Sequence, residues 1–211
     1  MTLENLWFVI IAFMFAMYFV LEGFDFGVGM MMTLPNKHDD DTDPEAADKR
    51  RRVLLNTIGP VWDGNEVWLI TGGAAIFAAF GGWYATMFSA FYFPLFLILL
   101  ALIVRVCAIE WRAKINDVKW RRWCDVGIGI GSWVPAILWG VAFANILRGV
   151  PIEFRDPNHV YTGGFFNLLN PYAVLGGLTT LVAFLTHGAI FIALKTRGEM
   201  REDASKLAAS L

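Results

Sequence analysis

The sequence has few charged residues and few cysteines. Only 17% of its 211 residues are Asp, Glu, Lys or Arg, whereas soluble domains contain about a quarter. Its two cysteines, Cys107 and Cys124, are too few for a disulfide framework, so we expect two free thiols. No basic residue precedes the first apolar run, so we expect no cleavable signal peptide. A net charge of −2 excludes a basic protein that binds nucleic acid.

Long apolar runs account for much of the chain, which is 57% hydrophobic. A helix needs about 20 mostly apolar residues to cross a bilayer. Five segments meet this requirement, at residues 6–33, 53–80, 84–104, 125–147 and 170–194. We expect a kink at Gly59-Pro60, a turn at 81–83, and a helix start at Asn170-Pro171, where an N-cap residue precedes proline. The sequence therefore predicts an all-α integral membrane protein with five transmembrane helices.

The basic residues predict how the chain is oriented, because cytoplasmic loops collect lysine and arginine. Of the 17 basic residues, only Arg148 and Arg155 lie between the fourth and fifth apolar segments, and the turn at 81–83 has none. The others lie between the first and second segments, between the third and fourth, and in the tail. This alternation places the N-terminus outside and the tail after the fifth helix in the cytoplasm.

Four acidic residues lie inside apolar segments, where an ionisable group costs about 2.5–3.5 kcal/mol or more. They form two pairs, Glu22 with Asp25 and Asp63 with Glu66. Each pair has i, i+3 spacing, so its carboxyl groups share one helical face and the two faces can meet. Asp63 lies roughly 16 Å beyond Arg52 on a continuous helix, at about 1.5 Å per residue. All four acids are therefore predicted in the cytoplasmic half of the membrane.

This one-sided placement favours a proton route that is loaded from the cytoplasm. Arg105, at the end of the third segment, is a candidate partner for the acids from the same side, and Trp62 could line the route. The acids could instead form buried hydrogen bonds or pair with Arg105 in a purely structural role. Two glycine pairs with GxxxG spacing, Gly23 with Gly27 and Gly127 with Gly131, predict close helix contacts.

Two further features have simpler explanations. The acidic run at residues 39–48 lacks the ligand spacing of a calcium loop, so we expect a solvated linker. His187 is the one histidine inside an apolar segment, since His38 and His159 lie in loops. A buried core histidine is the favoured interpretation, and haem ligation by His187 is the alternative. No metal site is predicted.

Six segments follow one another along the chain and carry a resemblance. They are 22–29 (Glu-Gly-Phe-Asp-Phe-Gly-Val-Gly), 58–68 (Ile-Gly-Pro-Val-Trp-Asp-Gly-Asn-Glu-Val-Trp), 132–135 (Ser-Trp-Val-Pro), 140–145 (Gly-Val-Ala-Phe-Ala-Asn), 149–151 (Gly-Val-Pro) and 161–171 (Tyr-Thr-Gly-Gly-Phe-Phe-Asn-Leu-Leu-Asn-Pro). In this order they resemble subunit II of the cytochrome bd-type quinol oxidases.

The resemblance implies a subunit of a bacterial plasma-membrane enzyme that oxidises quinol and reduces dioxygen to water. It implies a partner, subunit I, that carries haems b and d and the quinol site, and it allows small single-helix subunits. It associates Asp63 with proton delivery to those haems, with Glu22, Asp25 and Arg105 as supporting positions. Glu66 departs from the family pattern, because glutamine is also found at this position. We expect no catalytic residue in this chain.

The resemblance also implies two four-helix bundles in tandem. Residues 1–148 would form the first bundle, 149–169 an outer loop, and 170–211 the first helix of the second bundle with a cytoplasmic tail. We therefore expect a partial chain. The alternative functions are a proton- or ion-coupled membrane transporter, in which paired intramembrane acids also occur, and a purely structural assembly subunit.

Overall fold

The computed structural model describes residues 2–35, 44–155 and 158–211. Within these residues the chain forms eight α-helices, a short hairpin and a 3₁₀ helix. The elements are α1 (Leu3–Met31), α2 (Pro44–Ile58), α3 (Trp62–Ala79), α4 (Gly81–Ala90), α5 (Tyr92–Trp111), α6 (Val118–Arg148), β1 (Ile152–Arg155), β2 (Asn158–Tyr161), the 3₁₀ helix (Phe165–Leu169), α7 (Pro171–Lys195) and α8 (Glu199–Ser210). The predicted all-α class is confirmed.

Among the described residues, four helices are long and apolar enough to cross a membrane, namely α1, α5, α6 and α7. The second predicted segment, 53–80, is divided between α2 and α3. The chain breaks at Gly59–Val61, where the kink was predicted, because proline has no N–H to continue the helical hydrogen bonds. Asp63 therefore lies in the first turn of α3, and the helix from Arg52 along which its depth was predicted is interrupted before it. A total of five crossings, as predicted, requires α3 to cross the membrane as well. This helix has 18 residues and a polar start.

The turn predicted at 81–83 was also wrong, because these residues are helical and begin α4. The chain instead breaks at Phe80 and again at Phe91, so the third predicted segment is shared by α4 and α5. Pro94 lies in the first turn of α5, where a missing backbone N–H costs no helical hydrogen bond. The predicted helix start at Asn170 is confirmed, since the Asn170 side chain accepts a hydrogen bond from the Ala173 N–H at 3.0 Å.

Helix α1 lies at the centre of the bundle and packs against α3, α6 and α7, while α5 packs against α6. Two glycine contacts bring helices together. A Cβ on Gly188 of α7 would lie 2.5 Å from the Gly27 Cα of α1, and a Cβ on Gly176 of α7 would lie 2.8 Å from the Gly140 carbonyl oxygen of α6. The close approach predicted at Gly27 is therefore present, and it places α7 directly against α1.

The two ends of the bundle differ. The inner end, defined by the carboxyl terminus of α1 together with α2 and α8, has a core that includes Leu54 of α2 and Ala204 of α8. The outer end carries the β1–β2 hairpin and the 3₁₀ helix, where Asn145 of α6 donates to the Leu168 carbonyl at 2.8 Å. Cys107 and Cys124 are both free, as predicted. Lys37, His38 and the acids at 39, 40, 41 and 43 lie outside the described residues.

Candidate functional site

A fully buried arginine joins three helices near the inner end of the bundle. Arg105 of α5 forms salt bridges with Glu22 of α1 and with Glu66 of α3, the latter at 3.1 Å. Its guanidinium carbon also lies 4.9 Å from the centre of the Phe26 ring. Arg105 and Glu22 are both 0% exposed, so each charge compensates the other away from bulk solvent. The predicted pairing of Arg105 with the acids is therefore present for two of them.

Asp25, one turn beyond Glu22 on α1, is also 0% exposed and is held by α3. The Asn65 side chain donates to Asp25 Oδ2 at 2.7 Å and to the Leu21 carbonyl at 3.3 Å. Asn65 was not among the predicted site residues. The signal available in the sequence was its position between Asp63 and Glu66, on the turn of α3 that approaches α1.

Exposure falls steadily along the site. Asp63 is exposed in the first turn of α3, the Glu66 side chain is 19% exposed, and Glu22 and Asp25 are 0% exposed. Trp62, 8% exposed, lies beside Asp63 in the chain and is buried. The structure thus brings three of the four predicted acids together and leaves Asp63 on the exposed face of α3. Acidic side chains therefore lie at the surface, at intermediate depth and in the interior.

Several polar atoms of the buried residues have no hydrogen-bond partner among the described residues. They are Glu22 Oε2, Asp25 Oδ1, Arg105 Nε, Arg105 Nη2, Tyr18 Oη and Trp139 Nε1. Tyr18 lies one turn from Glu22 on α1, and its ring contacts the Trp139 ring of α6 at a centroid distance of 5.7 Å. Buried polar atoms in folded proteins nearly always have a protein or water partner. The site therefore has the polarity to hold internal water.

A second charged cluster lies at the inner end and anchors α2. Arg112, which follows α5 and is 3% exposed, donates to Asp125 of α6 at 2.5 Å and to Asp48 of α2 at 2.8 Å. Asp48 also accepts hydrogen bonds from Arg52 at 2.9 Å and Arg121 at 2.8 Å. Partial burial works to raise the pKa of Asp48, but these arginines outweigh it and hold the pKa below its ordinary value of 3.8. Asp48 is therefore ionised at neutral pH.

Neither the histidines nor the acids of the described residues form a metal site. His187 of α7 is partly buried, and its ring lies edge-on to the Phe24 ring at a centroid distance of 5.6 Å. Within the described ranges there is no group of three or more His, Cys, Asp or Glu side chains that could hold a metal ion. Glu22 forms a salt bridge with Arg105, and Asp25 accepts a hydrogen bond from Asn65.

An apolar groove of about 1000 Å³ lies on the outer half of the bundle, between α3 and α5. Its walls are aromatic and aliphatic and include Phe15 of α1, Phe77 of α3 and Trp139 of α6. The groove is separate from the charged site, which lies nearer the inner end.

Known proteins are similar to this chain over nearly its whole length. The family model described as cytochrome bd terminal oxidase subunit II matches residues 3–211. The cytochrome bd ubiquinol oxidase subunit 2 of Bacillus subtilis (strain 168) is 42% identical over 207 residues, which are 98% of this chain and 58% of that protein. The probable cytochrome oxidase subunit 2 of Haemophilus influenzae is 43% identical over 203 residues, which are 96% of this chain and 51% of that protein.

The cytochrome bd-I ubiquinol oxidase subunit 2 of Escherichia coli (strain K12) is 40% identical over 199 residues, which are 94% of this chain and 50% of that protein. The chain thus spans about half the length of these relatives.

Proposed function

The chain belongs to the cytochrome bd terminal oxidase subunit II family, and on this basis we propose that it is a membrane subunit of a respiratory quinol oxidase that supplies protons from the cytoplasmic side. The complex would oxidise quinol and reduce dioxygen to water. Its haems b and d and its quinol site would be held by a partner, subunit I, with small single-helix subunits as further partners. The family match favours this function over the transporter alternative.

The observation that carries the proton-delivery part of the proposal is the graded burial of the four acids on α1 and α3. Asp63 is exposed, Glu66 is partly exposed and bound to Arg105, and Arg105 binds the fully buried Glu22. A set of acids with purely architectural roles needs no exposed member. A proton route needs a group that meets water and further groups that carry the proton inward.

The basic residues support loading from the cytoplasm. Arg51, Arg112 and Arg121 lie at the inner end, together with α8, and lysine and arginine collect on the cytoplasmic side of membrane proteins. We therefore assign the inner end of the bundle to the cytoplasm and the β1–β2 hairpin to the outside. Asp63 then lies near the cytoplasmic surface, where it can take up protons from water.

Each residue of the site has a distinct role in this proposal. Asp63 exchanges protons with water, and Glu66 passes them between the surface of α3 and the interior. Arg105 remains charged at all relevant pH values, so it carries no proton itself. It fixes the positions of the Glu22 and Glu66 carboxylates and offsets part of their charge. The partner subunit would accept the protons from the buried acids.

The experiment is oxygen consumption by the purified native complex that carries Asp63→Asn. We expect the rate per haem to fall by at least tenfold, while complex abundance and haem content change by less than twofold. Glu202→Gln, which removes an exposed acid from α8, is the matched control and should leave the rate unchanged. An Asp63→Asn complex that is well assembled and consumes oxygen at the wild-type rate contradicts the proposal.

A further inference from the structure

One face of α6 is exposed near the inner end of the bundle and changes in chemistry along its length. Ile130 and Val126 are exposed, Trp123 is 74% exposed, and Arg122 and Lys119 are exposed closer to the start of the helix. Successive members are one residue or three to four residues apart, so they lie on one side of the helix. We call these five residues the exposed stripe of α6. From the middle of the helix toward its start, the stripe is aliphatic, then aromatic, then basic.

The exposed stripe differs from the faces of α6 that pack against other helices. A Cβ on Gly131 would lie 2.7 Å from the Ala101 carbonyl oxygen of α5, and a Cβ on Gly140 would lie 2.3 Å from the Gly176 carbonyl oxygen of α7. Contacts between membrane helices are enriched in such small residues. The stripe contains only large side chains. It therefore has the composition of a surface that faces lipid.

The length of α6 places the aromatic and basic parts of the stripe at a membrane interface. From Trp123 to Arg148, where the helix ends, the axis is roughly 38 Å long at about 1.5 Å per residue. The hydrocarbon core is about 30 Å thick. When the outer end of α6 lies at one interface, Trp123 lies at the other, where tryptophan is enriched. Arg122 and Lys119 then lie in the headgroup layer.

The two cations of the stripe have no acidic partner within the protein. Neither Arg122 nor Lys119 forms a salt bridge with any described residue, whereas Arg121 between them is paired with Asp48 at 2.8 Å. Asp117, the acid that precedes them, is exposed and accepts a hydrogen bond from the backbone of the first turn of α6 at 3.1 Å. In the headgroup layer the anion within reach of both cations is a lipid phosphate. Arginine in particular can donate two parallel hydrogen bonds to phosphate.

We propose that the exposed stripe of α6 binds an anionic phospholipid of the adjacent leaflet. The acyl chains lie along Ile130 and Val126, Trp123 lies at the level of the glycerol backbone, and Arg122 and Lys119 contact the phosphate. A zwitterionic lipid is bound less well, because its own ammonium group is repelled by the two cations. The proposal involves none of the acids of α1 and α3, so it stands independently of the proposed proton delivery.

Native mass spectrometry of the purified complex tests the selectivity. The complex is equilibrated with an equimolar mixture of phosphatidylglycerol and phosphatidylcholine, and the retained lipids are counted. We expect phosphatidylglycerol to be retained in excess, and the double variant Lys119→Gln with Arg122→Gln to lower this excess at least about threefold. The control, Arg201→Gln with Lys206→Gln, removes the same charge from exposed positions of α8, a helix without aromatic residues, and should keep the excess. An unchanged excess in the first variant, or an equal loss in both, overturns the proposal.

Photo-crosslinking identifies what covers the stripe without removing a charge. A photoreactive phenylalanine derivative is incorporated at Val126, and the complex is reconstituted into vesicles of the same two lipids and irradiated. We expect an adduct with the mass of one phospholipid, with phosphatidylglycerol labelled in excess over phosphatidylcholine. A crosslink to another subunit or to another segment of this chain means that protein covers the stripe, and this result overturns the proposal. Equal labelling by the two lipids also overturns it.

Discussion

At the scale of single residues, Arg105 is the centre of the site. It is 0% exposed and binds carboxylates from α1 and α3, so it compensates charge that neither helix could bury alone. Removal of one partner of a buried ion pair typically costs about 3–5 kcal/mol, because the other charge is left without compensation.

Arg105→Met should therefore lower the thermal stability and the yield of the purified complex. The additional change Glu22→Gln removes one of the carboxylates left without a partner, so it should restore part of the thermal stability and part of the yield. Arg121→Met, which removes an arginine at the surface of the inner cluster, is the control and should have a much smaller effect on stability. Equal melting temperatures for Arg105→Met and the wild type would contradict the structural role of this arginine.

Asp48 gives a prediction about pH. Its pKa is lowered in the folded protein below 3.8, so its contacts with Arg52, Arg112 and Arg121 contribute stability above that pH. This contribution is lost as the pH falls through the folded-state pKa. We expect amide exchange in α2, corrected for the intrinsic effect of pH, to increase as the pH is lowered below 3.8. Asp48→Asn should exchange faster at neutral pH and lose this acid-dependent increase. Identical exchange profiles of the wild type and Asp48→Asn would contradict this role of Asp48.

At the scale of helices, the positions of α1 and α7 depend on residues without side chains. A Cβ on Gly188 would lie 2.5 Å from the Gly27 Cα and 2.7 Å from the Val28 amide nitrogen, and these backbone atoms cannot move independently. We predict that Gly188→Ala destabilises the complex by about 1–3 kcal/mol, the usual cost of overpacking. Gly73→Ala is the matched control, because a Cβ there meets no atom within 4 Å. Gly73→Ala should leave the stability of the complex unchanged or increase it. Thermal melting of the three complexes measures this difference.

The sequence predicts the helices that are apolar throughout more accurately than the divided ones. The ends of α6 and α7 follow from a proline, a glycine and an asparagine cap, which act locally. The breaks at Phe80 and Phe91 lie beside Gly81-Gly82 and three residues before Pro94, but these local signals do not fix the exact positions of the breaks. The breaks arise where α4 packs against the hairpin and α5, which is a tertiary effect.

The site was predictable in its composition but not in its contacts. Glu22, Asp25 and Glu66 could be identified because an ionisable side chain inside a membrane costs free energy. Arg105 could be identified by its position at the end of the third apolar segment. The rotation of α3 about its axis could not be deduced, since it is set by Gly72, Ala75 and Ile76 packing toward the bundle interior. That rotation turns Asn65 toward Asp25 and leaves Asp63 exposed.

At the scale of the whole molecule, the two ends of the bundle have different chemistry. The inner end holds the Arg112 cluster, α2, α8 and the graded set of acids, whereas the outer half holds the apolar groove and the hairpin. This asymmetry is what a subunit needs if it takes protons from one side of the membrane and prevents their loss to the other. The central claim is that protons enter the complex on the side of Asp63.

Proton uptake by the complex reconstituted into liposomes tests this claim most directly. A pH-sensitive dye confined to the side that faces Asp63 should report proton uptake during quinol oxidation, and the same dye on the opposite side should not. In Asp63→Asn, uptake from the Asp63 side should slow in proportion to oxygen consumption, at unchanged haem content. Wild-type uptake from the opposite side, or undiminished uptake in a fully assembled Asp63→Asn complex, would contradict the account.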